Sequence, residues 1–216
     1  NNLLQTSISI TFYKLNFIKE NCNLKIVLVE PSGPLNVGSI ARLCSNFQIN
    51  QLRIVAPKCD INSLETKKMA LKGFTFIKEC LIYKCLKDAL TDCDLVLATC
   101  GRIHYQKKSN LDSLDDISKW IRNFKQIKNL AIIFGREDRG LTNKELLMAH
   151  KVFTINTNKS FPSLNLSHAV SIVLYELSKD IEIENIKKKK ELDFASIKDI
   201  EDSFIEIEEL LIKTGY

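Results

Sequence analysis

At 216 residues, 45% hydrophobic and 26% charged, the chain has room for one well-buried α/β domain and an appendage, not for two large domains. No apolar run approaches the length of a membrane-spanning helix, so no membrane partner is expected, and a net charge of +5 allows an anionic partner such as RNA without requiring one. The cysteines (22, 44, 59, 80, 85, 93 and 100) are odd in number and contain no Cys-x-x-Cys pair, and His104, His150 and His168 complete no metal site beside Cys80 and Cys85, so buried, reduced thiols in a cytoplasmic protein and no metal are expected.

Residues 1–23 read as an extension. Ser7 to Phe12 alternate enough for a strand but lie among Asn and Lys, and no compact apolar core or cleavage site marks a signal peptide. Lys25 to Val29 is a β-branched run suited to a first buried strand. Pro31, Gly33 and Pro34 make a loop, and a helix opening at Asn36 runs to about Phe47. Gln51 to Val55 predicts a second strand, stopped by Pro57. Helix is expected over Thr66 to Leu71, a short strand over Phe74 to Ile77, and helix again over Leu81 to Leu90. Asp94 to Thr99 reads as a strand ending at Cys100-Gly101-Arg102, Ile103 to Asn110 as an exposed polar loop, and Ile117 to Phe124 as a helix.

Ala131 to Phe134 are four consecutive apolar residues, suited to a strand buried on both faces in the middle of a parallel sheet. Gly135 ends it, four charges follow, and Gly140 permits a tight turn. Thr142 and Glu145 have the spacing of a capping box, so a helix starts there. Val152 to Ile155 is the last predicted strand. Leu166 to Leu177 is a helix apolar on nearly every face and so expected to be buried, His168 with it as a core or interface residue. This alternation implies a parallel sheet covered on both sides. After it, residues 180–193 are charge-rich, with Lys187 to Lys190 read as a solvated linker, and an apolar stripe over Ile197 to Ile212 predicts a helix that packs on the domain or on a partner. The expected division is 1–23, 24–179 and 180–216.

Three loops follow C-terminal strand ends, at 99–102, 135–141 and 156–165, and in a parallel sheet such ends converge on one ligand. The Gly-x-Gly-x-x-Gly fingerprint, the phosphate loop ending in Gly-Lys-Ser/Thr and the Gly-x-Ser-x-Gly elbow are all absent, which disfavours a Rossmann oxidoreductase, a P-loop NTPase and a serine hydrolase of that kind. Single residues in these loops also have plainer readings. Asn36 suits a helix cap, Glu137 with Arg136 a surface ion pair, and Asn165 a turn or cap.

Together, Asn36-Val37-Gly38-Ser39-Ile40-Ala41-Arg42, Phe134-Gly135-Arg136-Glu137-Asp138-Arg139-Gly140-Leu141 and Ser163-Leu164-Asn165-Leu166-Ser167 resemble, in order and spacing, the three motifs of the SpoU/TrmH class of SPOUT RNA methyltransferases over about residues 24–178. The tail from Asp199 to Tyr216 is similar to the segment that follows the catalytic domain in the TrmJ branch, which methylates ribose in the tRNA anticodon loop. The resemblance implies an α/β SPOUT domain with a C-terminal trefoil knot, a homodimer, and transfer of methyl from S-adenosylmethionine to a ribose 2′-hydroxyl, with tRNA cytidine or uridine of the position-32 type as the target. An rRNA target and a non-catalytic RNA-binding protein of the same fold are the alternatives.

Carried across residue by residue, it places the cofactor against Thr99, Cys100, Gly101, Gly135, Ile155, Pro162, Ser163 and Leu164. Many relatives have Ser where this chain has Pro162. Arg42 becomes the central catalytic residue. The resemblance gives it the part of base once the substrate phosphate is bound; because a guanidinium stays protonated in proteins, orienting the target phosphate and stabilising the nascent alkoxide is the role that fits it better. Asn36 and Glu137 are expected to hold Arg42 and the loops, and Ser163 and Asn165 to orient target or partner-loop groups. Arg42, Arg102, Lys107, Lys108 and Arg136 are the expected RNA contacts.

Overall fold

The computed structural model describes residues 22–101, 111–122, 127–158, 160–179 and 197–214. The chain divides into two compact units, Asn1–Asp180 and Ile181–Tyr216. In the first, the β-branched run predicted near the N-terminus forms β1 (Asn23–Val29). Its Leu24, Ile26 and Leu28 enter one apolar layer while Val27 and Val29 enter the other, so the strand is buried on both faces.

On one flank lie β2 (Gln51–Val55) and, at the edge, β3 (Leu81–Tyr83); on the other lie β6 (Asn129–Phe134), β4 (Leu95–Thr99), β7 (Lys151–Thr154) and β5 (Asp112–Ser113). The order is β3-β2-β1-β6-β4-β7-β5 and every pairing is parallel, as the alternating pattern predicts. Ile26 pairs with Ile132 and Leu97 with Ile132 on its other side, which puts the apolar run of β6 at the centre of the sheet.

α1 (Pro34–Asn46), α5 (Leu114–Arg122) and α7 (Leu166–Ser178) supply the long helices of one layer, with Val37, Ile40, Ile117, Val170 and Val173 in its core. The opposite layer is thinner, built on α4 (Leu86–Ala89) and α6 (Asn143–Leu146) with Leu86, Ala89, Leu141 and Leu146 against valines and alanines of the sheet. α6 begins with the predicted capping box: the Glu145 N–H donates to Thr142 Oγ1 at 3.3 Å and the Thr142 N–H donates to Glu145 Oε2 at 2.7 Å.

The structure corrects the sequence reading between β2 and β4. Helix α2 (Leu64–Ala70), a 3-10 turn at Leu71–Gly73 and α3 (Phe74–Glu79) run on from one another, so Phe74 to Ile77 are helical and not a strand. The strand is Leu81 to Tyr83, expected as the start of a helix, because these residues reach the open edge of β2 and pair there. Tertiary packing thus overrides the β-propensity of Phe74-Thr-Phe-Ile. α5 also starts at Leu114, three residues early, since Ser113 and Asp116 cap it reciprocally.

α7 is not buried all round: Val170, Val173, Leu174 and Leu177 face the core, whereas His168, Ile172 and Tyr175, spaced along one stripe, are exposed. All seven cysteines are free thiols. Only Cys44 and Cys100 are fully buried, Cys85 is exposed, and burial pushes the Cys44 thiol up to about 12. In the second unit, α8 (Ile197–Thr214) covers the predicted stripe, with Ile207, Leu210, Leu211 and Ile212 exposed. Among the described residues no helix is long and apolar enough to cross a membrane. The strand considered at Ser7 to Phe12 and the lysine run Lys187 to Lys190 lie outside the described residues.

Candidate active site

The loops after β4, β6 and β7 enclose a cavity of about 410 Å³ at the C-terminal edge of the sheet, where open parallel sheets receive ligands. Thr99, Cys100, Gly101, Gly135, Ile155, Pro162, Ser163 and Leu164 all line it. Every residue predicted to touch the cofactor therefore meets in one place, although these residues come from three separate loops. Phe134, Leu166 and Ala169 complete an apolar wall, and Glu137, Asp138 and Arg139 a charged one.

The loop after β6 owes its shape to two glycines. A Cβ on Gly135 would run into the Gly140 carbonyl carbon and the Leu141 nitrogen, and Gly140 has φ +67°, the left-handed region. The Gly140 N–H donates to the Arg136 carbonyl at 2.9 Å, closing the loop on itself.

Arg136 does not reach outward as an RNA contact. Its guanidinium is 8% exposed and donates to both Glu145 oxygens at 2.9 Å, to Glu30 Oε1 at 2.7 Å and to the Gly140 carbonyl at 3.3 Å. These carboxylates hold its pKa above the ordinary arginine value. The sequence reading missed this clamp: Glu145 is legible as a capping residue only, and Glu30 lies 106 residues away with no local signal. Arg139, by contrast, is 61% exposed at the cavity.

Glu137 ties the motifs together. Its carboxylate accepts from the Ser32 N–H at 3.1 Å, the Gly33 N–H at 3.0 Å and Asn36 Nδ2 at 3.2 Å. Burial alone would raise its pKa, but donors at Ser32, Asn36 and Gly33 outweigh burial and hold the carboxylate below its usual range. Asn165 Nδ2 donates in turn to Asn36 Oδ1 at 3.0 Å, while Asn165 Oδ1 caps α7 by accepting from the Ser167 N–H at 2.9 Å. Two side-chain hydrogen bonds thus join all three motifs. Asn165 is both cap and link. Asn36 caps nothing, since the cap of α1 is Gly33.

Arg42 lies two turns further along α1, exposed, without an ion pair or hydrogen bond among the described residues and outside the cavity lining. Asn36 and Glu137 hold each other and the 32–33 turn, not Arg42 as expected. Ser163 is exposed at the cavity wall. Arg102, Lys107 and Lys108 lie outside the described residues. Phe161, 79% exposed beside Pro162 and unmarked by any sequence signal, stands next to the cavity in the chain. No group of metal-ligating side chains is found among the described residues. What the walls offer is backbone donors and acceptors, apolar surface for a flat ring, and the negative charge of the Glu137 carboxylate.

A model of the SpoU rRNA Methylase family matches residues 23–175. The tRNA (cytidine-2′-O-)-methyltransferase TrmJ of Sulfolobus acidocaldarius is 41% identical over 157 residues, 71% of this chain and 64% of that protein, so the chain spans less than two thirds of this relative. The tRNA (cytidine/uridine-2′-O-)-methyltransferase TrmJ of Citrobacter koseri is 30% identical over 200 residues, 90% of this chain and 81% of the relative. The crystal structure of TrmJ from Z. mobilis ZM4 superposes with a TM-score of 0.64 at 28% identity, covering 89% of this chain and 81% of that one.

Proposed function

The chain belongs to the SpoU rRNA methylase family, and from that premise we propose that it transfers methyl from S-adenosylmethionine to a ribose 2′-hydroxyl of RNA, with tRNA as the substrate. The observation that carries this reading is the convergence of Thr99 to Gly101, Gly135, Ile155 and Pro162 to Leu164 on one cavity of about 410 Å³, within the size range of small-molecule cofactor sites. The residues present fit the group. Backbone at bared strand ends would hold the adenosine portion, Leu164, Leu166 and Ala169 would offer it apolar contact, and the carboxylates of Glu137 and Asp138 would suit a positively charged sulfonium.

When bound, S-adenosylmethionine supplies a methyl group already activated by the sulfonium charge. The chain's own task is alignment and charge stabilisation. Arg42, exposed and unpaired among the described residues, orients the target phosphate and stabilises the charge that develops on the 2′-oxygen as its proton passes to solvent water. Glu137, Asn36 and Asn165 act as positioning residues through the network that holds the three motifs in register.

Position 32 of the anticodon loop, a cytoplasmic setting, the division at 24–179 and a knotted C-terminal crossover belong to the same reading. The passage from β4 across to β6 and back to the other flank of β4 at β7 supports the last of these. So does a homodimer, for which the exposed α7 stripe of His168, Ile172 and Tyr175 is the surface on offer. The test is transfer from labelled S-adenosylmethionine to unmodified tRNA and, separately, to rRNA, with the product nucleoside identified after digestion. A 2′-O-methylated nucleoside from tRNA is expected. Cofactor binding without incorporation into either RNA would refute the catalytic reading. Arg42→Ala should lower transfer about 100-fold or more while leaving cofactor affinity within about twofold, the range seen when a transition-state donor is removed.

A further inference from the structure

The segment 64–79 carries a basic face that the proposed function leaves unassigned. Gly73 is pressed against α1 there: a Cβ on it would come 2.6 Å from the Ala41 carbonyl oxygen and 2.7 Å from Arg42 Cα. Only glycine lets the turn approach this closely. The backbone of Lys72, one residue earlier in the chain, thereby lies near that of Arg42. From the helices on either side, Lys67 and Lys78 hold their ammonium groups 5.6 Å and 5.8 Å from the centroid of a single ring, that of Phe74. Lys67, Lys68, Lys72 and Lys78 are all exposed, and none of them forms an ion pair among the described residues. The segment's own carboxylates, Glu65 and Glu79, are exposed too and pair with none of these lysines.

Cation–π contact restrains such side chains without neutralising them. Two such charges near one ring raise the local positive potential, which favours an anion beside them. We propose that this face, with Lys67, Lys72 and Lys78 as its principal contacts, binds the phosphodiester backbone of the RNA substrate and leads the strand to Arg42. The inference rests on the proposed function for the identity of the polyanion. A nucleic-acid strand carries one negative charge per nucleotide and can meet a row of lysines through charge alone, whereas an acidic protein would need shape complementarity as well.

The test compares the chain with its Lys67→Ala/Lys72→Ala/Lys78→Ala variant, measuring affinity for unmodified tRNA between about 50 and 200 mM salt, together with cofactor affinity, melting temperature and methyl transfer. The variant should bind tRNA about 10-fold or more weakly near physiological salt. The slope of log affinity against log salt should fall by about 2 to 3, since each phosphate contact contributes about 0.7–0.9. Cofactor affinity and melting should not change, and the triple Lys→Arg variant should recover tRNA binding.

A wild-type chain that methylates tRNA while the Ala variant binds it with unchanged affinity and salt slope overturns the basic face and spares the proposed function. Conversely, salt-sensitive tRNA binding through these lysines with no transfer by the wild type sinks the catalytic reading and supports the face. Loss of affinity for polyglutamate, with tRNA binding intact, would assign the face to an acidic protein and overturn the proposal.

Discussion

Arg136 donates to two carboxylates at once, and its Nε is buried without a hydrogen-bond partner among the described residues. A buried orphan donor is costly, so the clamp persists because the ion pairs outweigh that cost. Glu145 and Glu30 are themselves 14% and 23% exposed, which softens the penalty of stranding them. Arg136→Met should therefore destabilise the fold by about 2 kcal/mol, less than the 3–5 of a fully buried pair, and lower the melting temperature by about 4–8 °C. Cofactor affinity should fall with it, because the loop that Arg136 closes lines the cavity. Calorimetry with and without S-adenosylmethionine checks this, and an unchanged melting temperature would show that the clamp contributes nothing. Acid titration gives a second check. The Arg136 hydrogen bond holds Glu30 below its usual range, and donors outweigh burial at Glu137 and Glu145. A depressed folded pKa means stability that is complete above the unfolded value near 4.3 and is lost as pH falls through the folded one. Stability against urea should thus hold level from pH 7 to about 5 and drop steeply below about 4, with a shallower drop in Glu137→Gln.

At the level of elements, the two ends of the sheet do different work. The C-terminal ends carry the cavity. Near the N-terminal ends, Asp92 in the turn before β4 gathers two neighbouring strands, accepting from Lys25 of β1 at 2.7 Å and from both terminal nitrogens of Arg53 of β2 at 2.7 and 2.8 Å. The two cationic side chains are 6% and 3% exposed while Asp92 is 53% exposed, and Arg53 also donates to the Ala89 carbonyl. The Arg53 guanidinium beside it holds the Asp92 carboxyl well below the ordinary range against the opposing effect of burial, with Lys25 adding to the lowering. Asp92→Asn leaves two buried cations short of a counter-charge and should cost about 2 kcal/mol, discounted for the exposure of Asp92. Methyl transfer at 25 °C should persist, because this network stands at the end of the sheet away from the cavity. A variant that is fully stable yet inactive would contradict that separation.

For the molecule as a whole, the exposed stripe of α7 bears on assembly. Tyr175 is 60% exposed and Ile172 38% on a helix whose opposite face is core. Covering such a stripe with a second copy buries apolar surface at roughly 25 cal/mol per Å², and Tyr is among the residues that anchor interfaces. The chain, 24.7 kDa by sequence, should sediment at twice that mass at micromolar concentration, and Tyr175→Glu should shift it toward monomer with reduced transfer. A fully active monomer would sink the dimer.

Much of this architecture is legible in the residues themselves. Local chemistry determined the buried strands at Lys25 to Val29 and Ala131 to Phe134, the capping box at Thr142 and Glu145, and the loop bounded by Gly135 and Gly140, because each depends on side chains adjacent in the chain. The three motifs were likewise readable, though only taken together at their spacing. Only the tertiary structure decided what depends on long-range approach: that Glu137 reaches Ser32, Gly33 and Asn36 more than a hundred residues away, that Arg136 is clamped between Glu30 and Glu145, and that Leu81 to Tyr83 becomes an edge strand while Phe74 to Ile77 stays helical. Propensity and spacing describe neighbours along the chain. The open edge of β2 and the carboxylate of Glu30 become neighbours only once the chain has folded.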